Sequence, residues 1–127
     1  MSLSDLDNKC VLVVEDDDMS FLYLNQLLML SNAVITREKS GVDALERFRG
    51  NQSFDMILMD IQLPDMDGKQ VTRDIRNLDK QVPIIAQTAD KSPVERELAM
   101  EAGCTDLITK PFSPEEFFTV INKHLSH

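Results

Sequence analysis

The chain has 127 residues, with 22 acidic against 13 basic side chains and a net charge of −9. That length suits one domain with a buried core and is too short for two, and the acidity repels a phosphate backbone, which excludes a nucleic-acid binder. No basic amphipathic stretch suits an anionic membrane surface, no segment approaches a membrane span, and no charged-then-apolar leader opens the chain, so direct membrane contact is not expected.

Five strand-like and five helix-like segments alternate, without repeat, linker or low-complexity stretch. Cys10-Val11-Leu12-Val13-Val14 is continuously apolar and β-branched, the pattern of a parallel strand buried on both faces. A helix is predicted from about Asp18 to Ser31, with Asp17 or Asp18 as its cap. Its run Phe21 to Leu30 is apolar nearly all the way round, more than one core face requires. That surplus reads either as a docking patch or as ordinary scattered exposed leucines. Ala33 to Arg37 predicts a weaker edge strand, and Ser40 and Asp43 frame a helix to about Arg49. Phe54 to Met59 is the third strand, followed by a helix from about Gly68 to Asn77. Pro83 to Gln87 is the fourth.

Ser92-Pro93-Val94-Glu95 then carries a capping box with proline at the first helical position, and Ser113-Pro114-Glu115-Glu116 repeats it after a fifth strand, Thr105 to Ile108. Phe117, Phe118, Ile121 and Leu125 recur at helical spacing on one face of the last helix. Such alternation predicts an α/β fold, a doubly wound, flavodoxin-like parallel sheet of five strands with helices on both faces and right-handed crossovers. One domain over residues 1–127 is expected, with its core at about 9–125.

Chemistry collects at the predicted carboxyl ends of the strands, where ligands bind in open α/β sheets. These ends carry Glu15-Asp16, Asp60, Thr88 and Lys110. In the strand order 2-1-3-4-5, strands one and three flank the switch point, which brings Glu15, Asp16 and Asp60 into one crevice with Thr88 and Lys110 on its far wall. Carboxylates about 5 Å apart repel by roughly 3 kcal/mol per pair at an effective dielectric near 20. Such a cluster must bind a cation, raise a pKa or be propped by Lys110. A hard, oxygen-only set suits Mg²⁺.

Taken singly, these residues have plainer readings. Asp16 or Asp17 is a helix cap, Lys110 a solvated charge, Thr88 a strand-end hydroxyl bonded to backbone. Asp65-Met66-Asp67-Gly68 resembles part of a calcium loop, but Leu63 occupies the first ligand position and Pro64 follows, which excludes an EF-hand. Cys10 and Cys104 lack a CxxC or nearby His and fit a reducing compartment. His124 and His127 are expected in solvent, away from every strand end. Met1-Ser2-Leu3 and His127 read as appended residues, which points to a domain cut from a longer protein.

Four motifs in order, Val13-Val14-Glu15-Asp16-Asp17, Met59 to Gly68, Ile84-Ile85-Ala86-Gln87-Thr88-Ala89 and Thr109-Lys110-Pro111-Phe112, resemble the receiver domain of two-component response regulators over about residues 9 to 125. The resemblance implies that Asp60 accepts a phosphoryl group from the phosphohistidine of a histidine kinase or histidine phosphotransfer domain. It also implies Mg²⁺ held by Glu15, Asp16, Asp60 and the Gln62 carbonyl. Thr88, the Ala89 amide and Lys110 would contact the phosphoryl group, and the Lys110-Pro111 bond would be cis. Homodimerisation on phosphorylation and a cytoplasmic location, in a hybrid sensor kinase, are further expectations. Two positions depart from the family pattern. Glu15 stands where Asp is commoner, and Leu107 where many receivers carry a rotating aromatic, which makes Thr88 and Leu107 the switch positions and favours a relay over an output switch. The competing chemistry is a haloacid-dehalogenase-type phosphohydrolase, but that class places an Asp two residues after its nucleophile, where this chain has Gln62.

Overall fold

Apolar runs that do not alternate belong to strands covered on both faces, and the inner strands of this sheet are built from them. The computed structural model describes residues 6–50 and 52–125; Met1-Ser2-Leu3 and His127, with the expectations attached to them, lie outside these. The elements are β1 (Cys10–Val14), α1 (Asp18–Leu30), β2 (Val34–Glu38), α2 (Gly41–Arg49), β3 (Met56–Asp60), α3 (Gly68–Arg76), β4 (Ile84–Thr88), α4 (Pro93–Ala102), β5 (Asp106–Thr109) and α5 (Pro114–Lys123). All pairings are parallel, in the order β2-β1-β3-β4-β5. This is the doubly wound sheet read from the sequence.

Four of the strands start and end one or two residues later than the apolar pattern suggests. The pattern marks buried side chains, whereas the ladder continues through polar residues at the carboxyl edge: Ile61 N donates to Gln87 O at 3.1 Å and Lys110 N to Thr88 O at 2.8 Å. Asp60 and Thr88 are therefore the last residues of β3 and β4, held by the sheet.

Two clusters form the core. Val11, Val13, Leu58, Ile85 and Ile108 meet Leu24 and Leu28 of α1 and Phe117, Phe118 and Ile121 of α5. On the other face Leu12, Ile57, Met59, Ile84 and Ala86 meet Ala44 and Leu45 of α2, Val71 and Ile75 of α3, and Ala99 of α4. Leu107, at the position where many members of the resembled family carry an aromatic, is buried in this second cluster. On α1 the surplus apolar residues are exposed: Met19, Leu22, Met29 and Leu30 face outward.

The caps refine the sequence reading. Asp17 is the α1 cap, accepting from Ser20 N at 2.8 Å. Asp65 and Asp67 are structural as well: Asp65 accepts from Gly41 N and Val42 N at the start of α2, and Asp67 accepts from Lys69 N at the start of α3. Ser113 and Glu116 form a complete capping box. At α4 only half the expected box forms, because Ser92 accepts from Glu95 N while the Glu95 carboxylate turns to Lys69 Nζ at 3.0 Å. A nearby ammonium outcompetes a backbone amide for a carboxylate. α4 ends at Gly103, whose φ of 115° favours glycine.

His124 is not in solvent as expected. Its Nε2 lies 2.7 Å from Asp106 Oδ2, at the amino end of β5, with Arg96 at 3.4 Å on the same carboxylate. Burial would raise the Asp106 acid, but the His124 bond, the Leu107 amide and the charges of His124 and Arg96 outweigh it and hold it below the ordinary value. The sequence gives no warning, since α5 must pack back along β5 before residue 124 reaches residue 106.

Candidate functional site

Parallel register sets the crevice. Val14 pairs with Met59 and Asp60 with Gln87, so the next residue of β1, Glu15, lies beside Asp60 at the carboxyl edge. Carboxylate oxygens of Glu15, Asp16 and Asp60 all lie within 4.8 Å of one another. Glu15 is 0% and Asp60 6% exposed, while Asp16 is open to solvent.

Lys110 arrives from the end of β5. Its Nζ is 2.9 Å from Glu15 Oε1 and 3.9 Å from Asp60 Oδ2, and the Lys110–Pro111 peptide is cis. Asp60 Oδ1 accepts from the Gln62 amide at 2.9 Å, and Gln62 is steadied by a bridge to Asp67. Burial first, then the adjacent Glu15 carboxyl, push the Asp60 acid up to about 7, while the Gln62 amide and Lys110 pull it back only in part. Two of the three outcomes expected of an acidic cluster, a raised pKa and a lysine prop, are thus present together.

Thr88 is buried at the end of β4, and its hydroxyl accepts from Asp90 N at 3.0 Å, the plainer of its two readings. Ala89 follows at the same edge and, with Lys110, borders a cavity under the β5–α5 turn. The sequence reading thus has Glu15, Asp16, Asp60 and Lys110 in one cluster, while Leu107 lies in the core.

Sequence reasoning missed two supports. Arg37, at the edge strand, donates from Nε to Glu15 O at 3.1 Å and from Nη2 to Asp16 O at 3.4 Å and Asp18 Oδ1 at 2.9 Å, with its guanidinium 4.3 Å over the Phe21 ring. It braces the acidic loop from behind, yet in sequence it is an ordinary edge-strand charge. Lys69 bridges Glu95 at 3.0 Å and Asp67 at 3.6 Å, which ties the turn after Asp60 to the start of α4.

The donor set fits a hard divalent cation. Carboxylate oxygens alone converge, two are anchored by burial, and their mutual repulsion is relieved by a doubly charged ion of the magnesium type.

The family model for the response regulator receiver domain matches residues 11–122. The polar-differentiation response regulator DivK of Brucella anthropi is 34% identical over 119 residues, covering 92% of this chain and 96% of that protein. Hybrid signal transduction histidine kinase L of Dictyostelium discoideum is 36% identical over 121 residues, 90% of this chain but 7% of that kinase. The transcription factor SKN7 of Candida albicans is 30% identical, and this chain spans 20% of its length. Among solved structures, a response regulator of Chloroflexus aurantiacus superposes with a TM-score of 0.88 at 29% identity, covering 95% of this chain and 100% of that one. The receiver domain of a Pseudomonas aeruginosa sensor histidine kinase, with magnesium coordinated in its active-site cleft, gives 0.84 at 32% identity over 92% of this chain and 97% of that one. No helix among the described residues is long and apolar enough to cross a membrane. Sheet order, clustered acids and family match agree, and the chain belongs to the response regulator receiver domains of two-component signal transduction.

Proposed function

We infer that Asp60 is the phosphoacceptor of this receiver and that a phosphohistidine, in a histidine kinase or histidine phosphotransfer domain, is its donor. An ionised Asp60 oxygen attacks phosphorus, the bond from phosphorus to the donor imidazole breaks, and the imidazole leaves with that electron pair, taking a proton. Glu15, Asp16, Asp60 and the Gln62 carbonyl would hold Mg²⁺, which when bound neutralises charge on the transferring group. Lys110, already beside both Glu15 and Asp60, is placed to pair with the phosphoryl oxygens as a point charge. Thr88 would leave the Asp90 amide and donate to a phosphoryl oxygen, joined by the Ala89 amide. The convergence of three carboxylates and one ammonium carries this reading.

Leu107 supplies no aromatic ring to rotate with Thr88, which supports a relay, within a single domain of a cytoplasmic hybrid kinase. Phosphorylation-driven homodimerisation remains part of the same reading. A large, matching rearrangement of α4, β5 and α5 between free and phosphorylated structures would count against the relay.

Incubation with acetyl phosphate and Mg²⁺ should add one phosphoryl group by intact mass, mapped to Asp60, and chelation of the metal should prevent it. A mass that does not change, or a phosphoryl group on another residue, would refute Asp60 as acceptor. Nothing in the site or the comparisons favours the phosphohydrolase alternative.

The exposed Leu22 and Met19 on α1 support a docking surface for the donor protein. Leu22→Asp should slow phosphoryl transfer from a phosphohistidine protein by about tenfold, the effect of losing one well-packed contact, and leave uptake from acetyl phosphate unchanged. Equal rates with both donors would remove the docking role.

A further inference from the structure

Polar contacts continue from both ends of the Lys69–Glu95 ion pair into the site. On one side, the Lys69 ammonium lies 3.6 Å from Asp67 Oδ2, Asp67 bridges to Gln62, and the Gln62 amide donates to Asp60 Oδ1 at 2.9 Å. On the other, the Glu95 amide donates to Ser92 Oγ at 3.2 Å, the Ser92 amide to Asp90 Oδ1 at 2.9 Å and the Asp90 amide to Thr88 Oγ1 at 3.0 Å. The pair is the middle link of a path from Asp60 to the Thr88 hydroxyl.

Both side chains of the pair are 14% exposed, so their attraction is screened less than that of a surface pair. Partial burial would lower the Lys69 ammonium, but the Glu95 bond and the charges of Asp67 and Glu95 outweigh it and hold it above the ordinary value. Glu95 makes this contact at the expense of its own helix. In α5 the equivalent Glu116 turns back to the Ser113 amide, whereas in α4 the Ser92 amide is left to Asp90. The carboxylate thereby fixes the first turn of α4 against the turn that follows Asp60.

That position opposes the change that phosphorylation requires. Thr88 must leave the Asp90 amide, and the Ala89 amide must close on the phosphoryl group, so residues 88–92 shift together. Glu95 holds the far end of this segment through Ser92 and Asp90. A contact that stabilises only one of two arrangements moves the equilibrium toward that arrangement.

We propose that Lys69 and Glu95 are a positioning pair that restrains Thr88 in its resting bond to Asp90 and so limits how readily the site accepts a phosphoryl group. The proposal rests on Thr88 and Ala89 meeting a phosphoryl group on Asp60. Both residues of the pair act through the turn and not on the reacting atoms.

Lys69→Met and Glu95→Gln each remove the ion pair and keep the side-chain stem. In unphosphorylated protein held in a chelator, hydrogen exchange at the Asp90 amide should quicken about fivefold in both variants, while Lys69→Arg should match wild type. With saturating Mg²⁺, both variants should bind beryllium trifluoride, a phosphoryl mimic, about fivefold more tightly than wild type. Lys69→Met combined with Glu95→Gln should gain no more than either alone, because the two remove one shared contact. A pair that merely supported the fold would weaken binding when lost. Unchanged or weaker binding would therefore overturn the proposal, as would unchanged exchange at Asp90 or a Lys69→Arg variant that behaves like Lys69→Met. If wild type binds the mimic and the variants gain nothing, the restraint falls and the role of Asp60 stands. If wild type itself fails to bind the mimic, the role of Asp60 falls and this proposal falls with it.

Discussion

Asp60→Asn is expected to abolish phosphoryl uptake and, in the absence of metal, to make the protein more stable at neutral pH. The carboxyl is pushed from 3.8 up to about 7, first by burial and then by Glu15. An acid raised by folding is stabilising only while both states are protonated. As pH climbs above its unfolded value the unfolded chain ionises and the folded one does not, so stability is lost progressively until the pH passes the folded value. A shift of this size is worth at most about 4 kcal/mol, and screening at the solvent-open edge beside Asp16 reduces that to about 1–2 kcal/mol. Asparagine cannot ionise, so the variant escapes this loss. Urea unfolding in a chelator should show variant and wild type close together at about pH 4, and the variant ahead by about 1–2 kcal/mol at about pH 8. Saturating Mg²⁺ should then favour the wild type, because binding to the folded state stabilises it in proportion to occupancy. A variant less stable than wild type at pH 8 without metal would show that the acidic cluster does not oppose folding.

Gly68→Ala should be the most damaging one-methyl change near the site. A Cβ at Gly68 would press on the Asp60 backbone oxygen and lie 2.8 Å from Ile61 Cα, with no flexible side chain in the way to yield. The Gly68 amide also donates to Ile61 O at 2.9 Å, which closes the turn after Asp60. Relief requires the β3–α3 turn to open, and that moves both the acceptor carboxylate and the Gln62 amide bound to it. We expect a loss of about 3 kcal/mol, the upper end for overpacking, because the atoms met are backbone and cannot move aside. Phosphoryl uptake from acetyl phosphate should fall alongside it, even under conditions where the variant is fully folded. Chemical denaturation showing a loss below about 1 kcal/mol would mean that the turn adapts and that glycine is not required there.

Apolar runs and caps made most of the fold legible. Continuous Val, Leu, Ile and Met stretches identified buried parallel strands, and Ser-Pro-x-Glu motifs marked two helix starts. The site was legible because each of its groups follows an apolar run, so that knowing the strand order was enough to bring Glu15, Asp16, Asp60 and Lys110 together. What failed was local competition. Glu95 reads as the second half of a capping box until Lys69, far away in sequence, takes its carboxylate. Asp65, already excluded from a calcium loop by Leu63 and Pro64, spends both oxygens on the amides that open α2, a role that no local motif announces. His124 reads as a tail residue until α5 lies back along β5 and meets Asp106.

The amino-acid order alone determined the alternation of strands and helices, the continuous apolar runs of the inner strands and the position of acid, hydroxyl and amine just after those runs, because periodicity and apolar patterning are properties of neighbouring residues. Tertiary structure alone decided how charge is shared among those groups. It put Lys110 on Glu15 more closely than on Asp60, lifted the Asp60 acid, set Arg37 behind the acidic loop and left the Gln87 amide enclosed without a partner. The physical reason is that desolvation and Coulomb energies depend on distances between residues remote in the chain, and those distances exist only once the sheet has set its register.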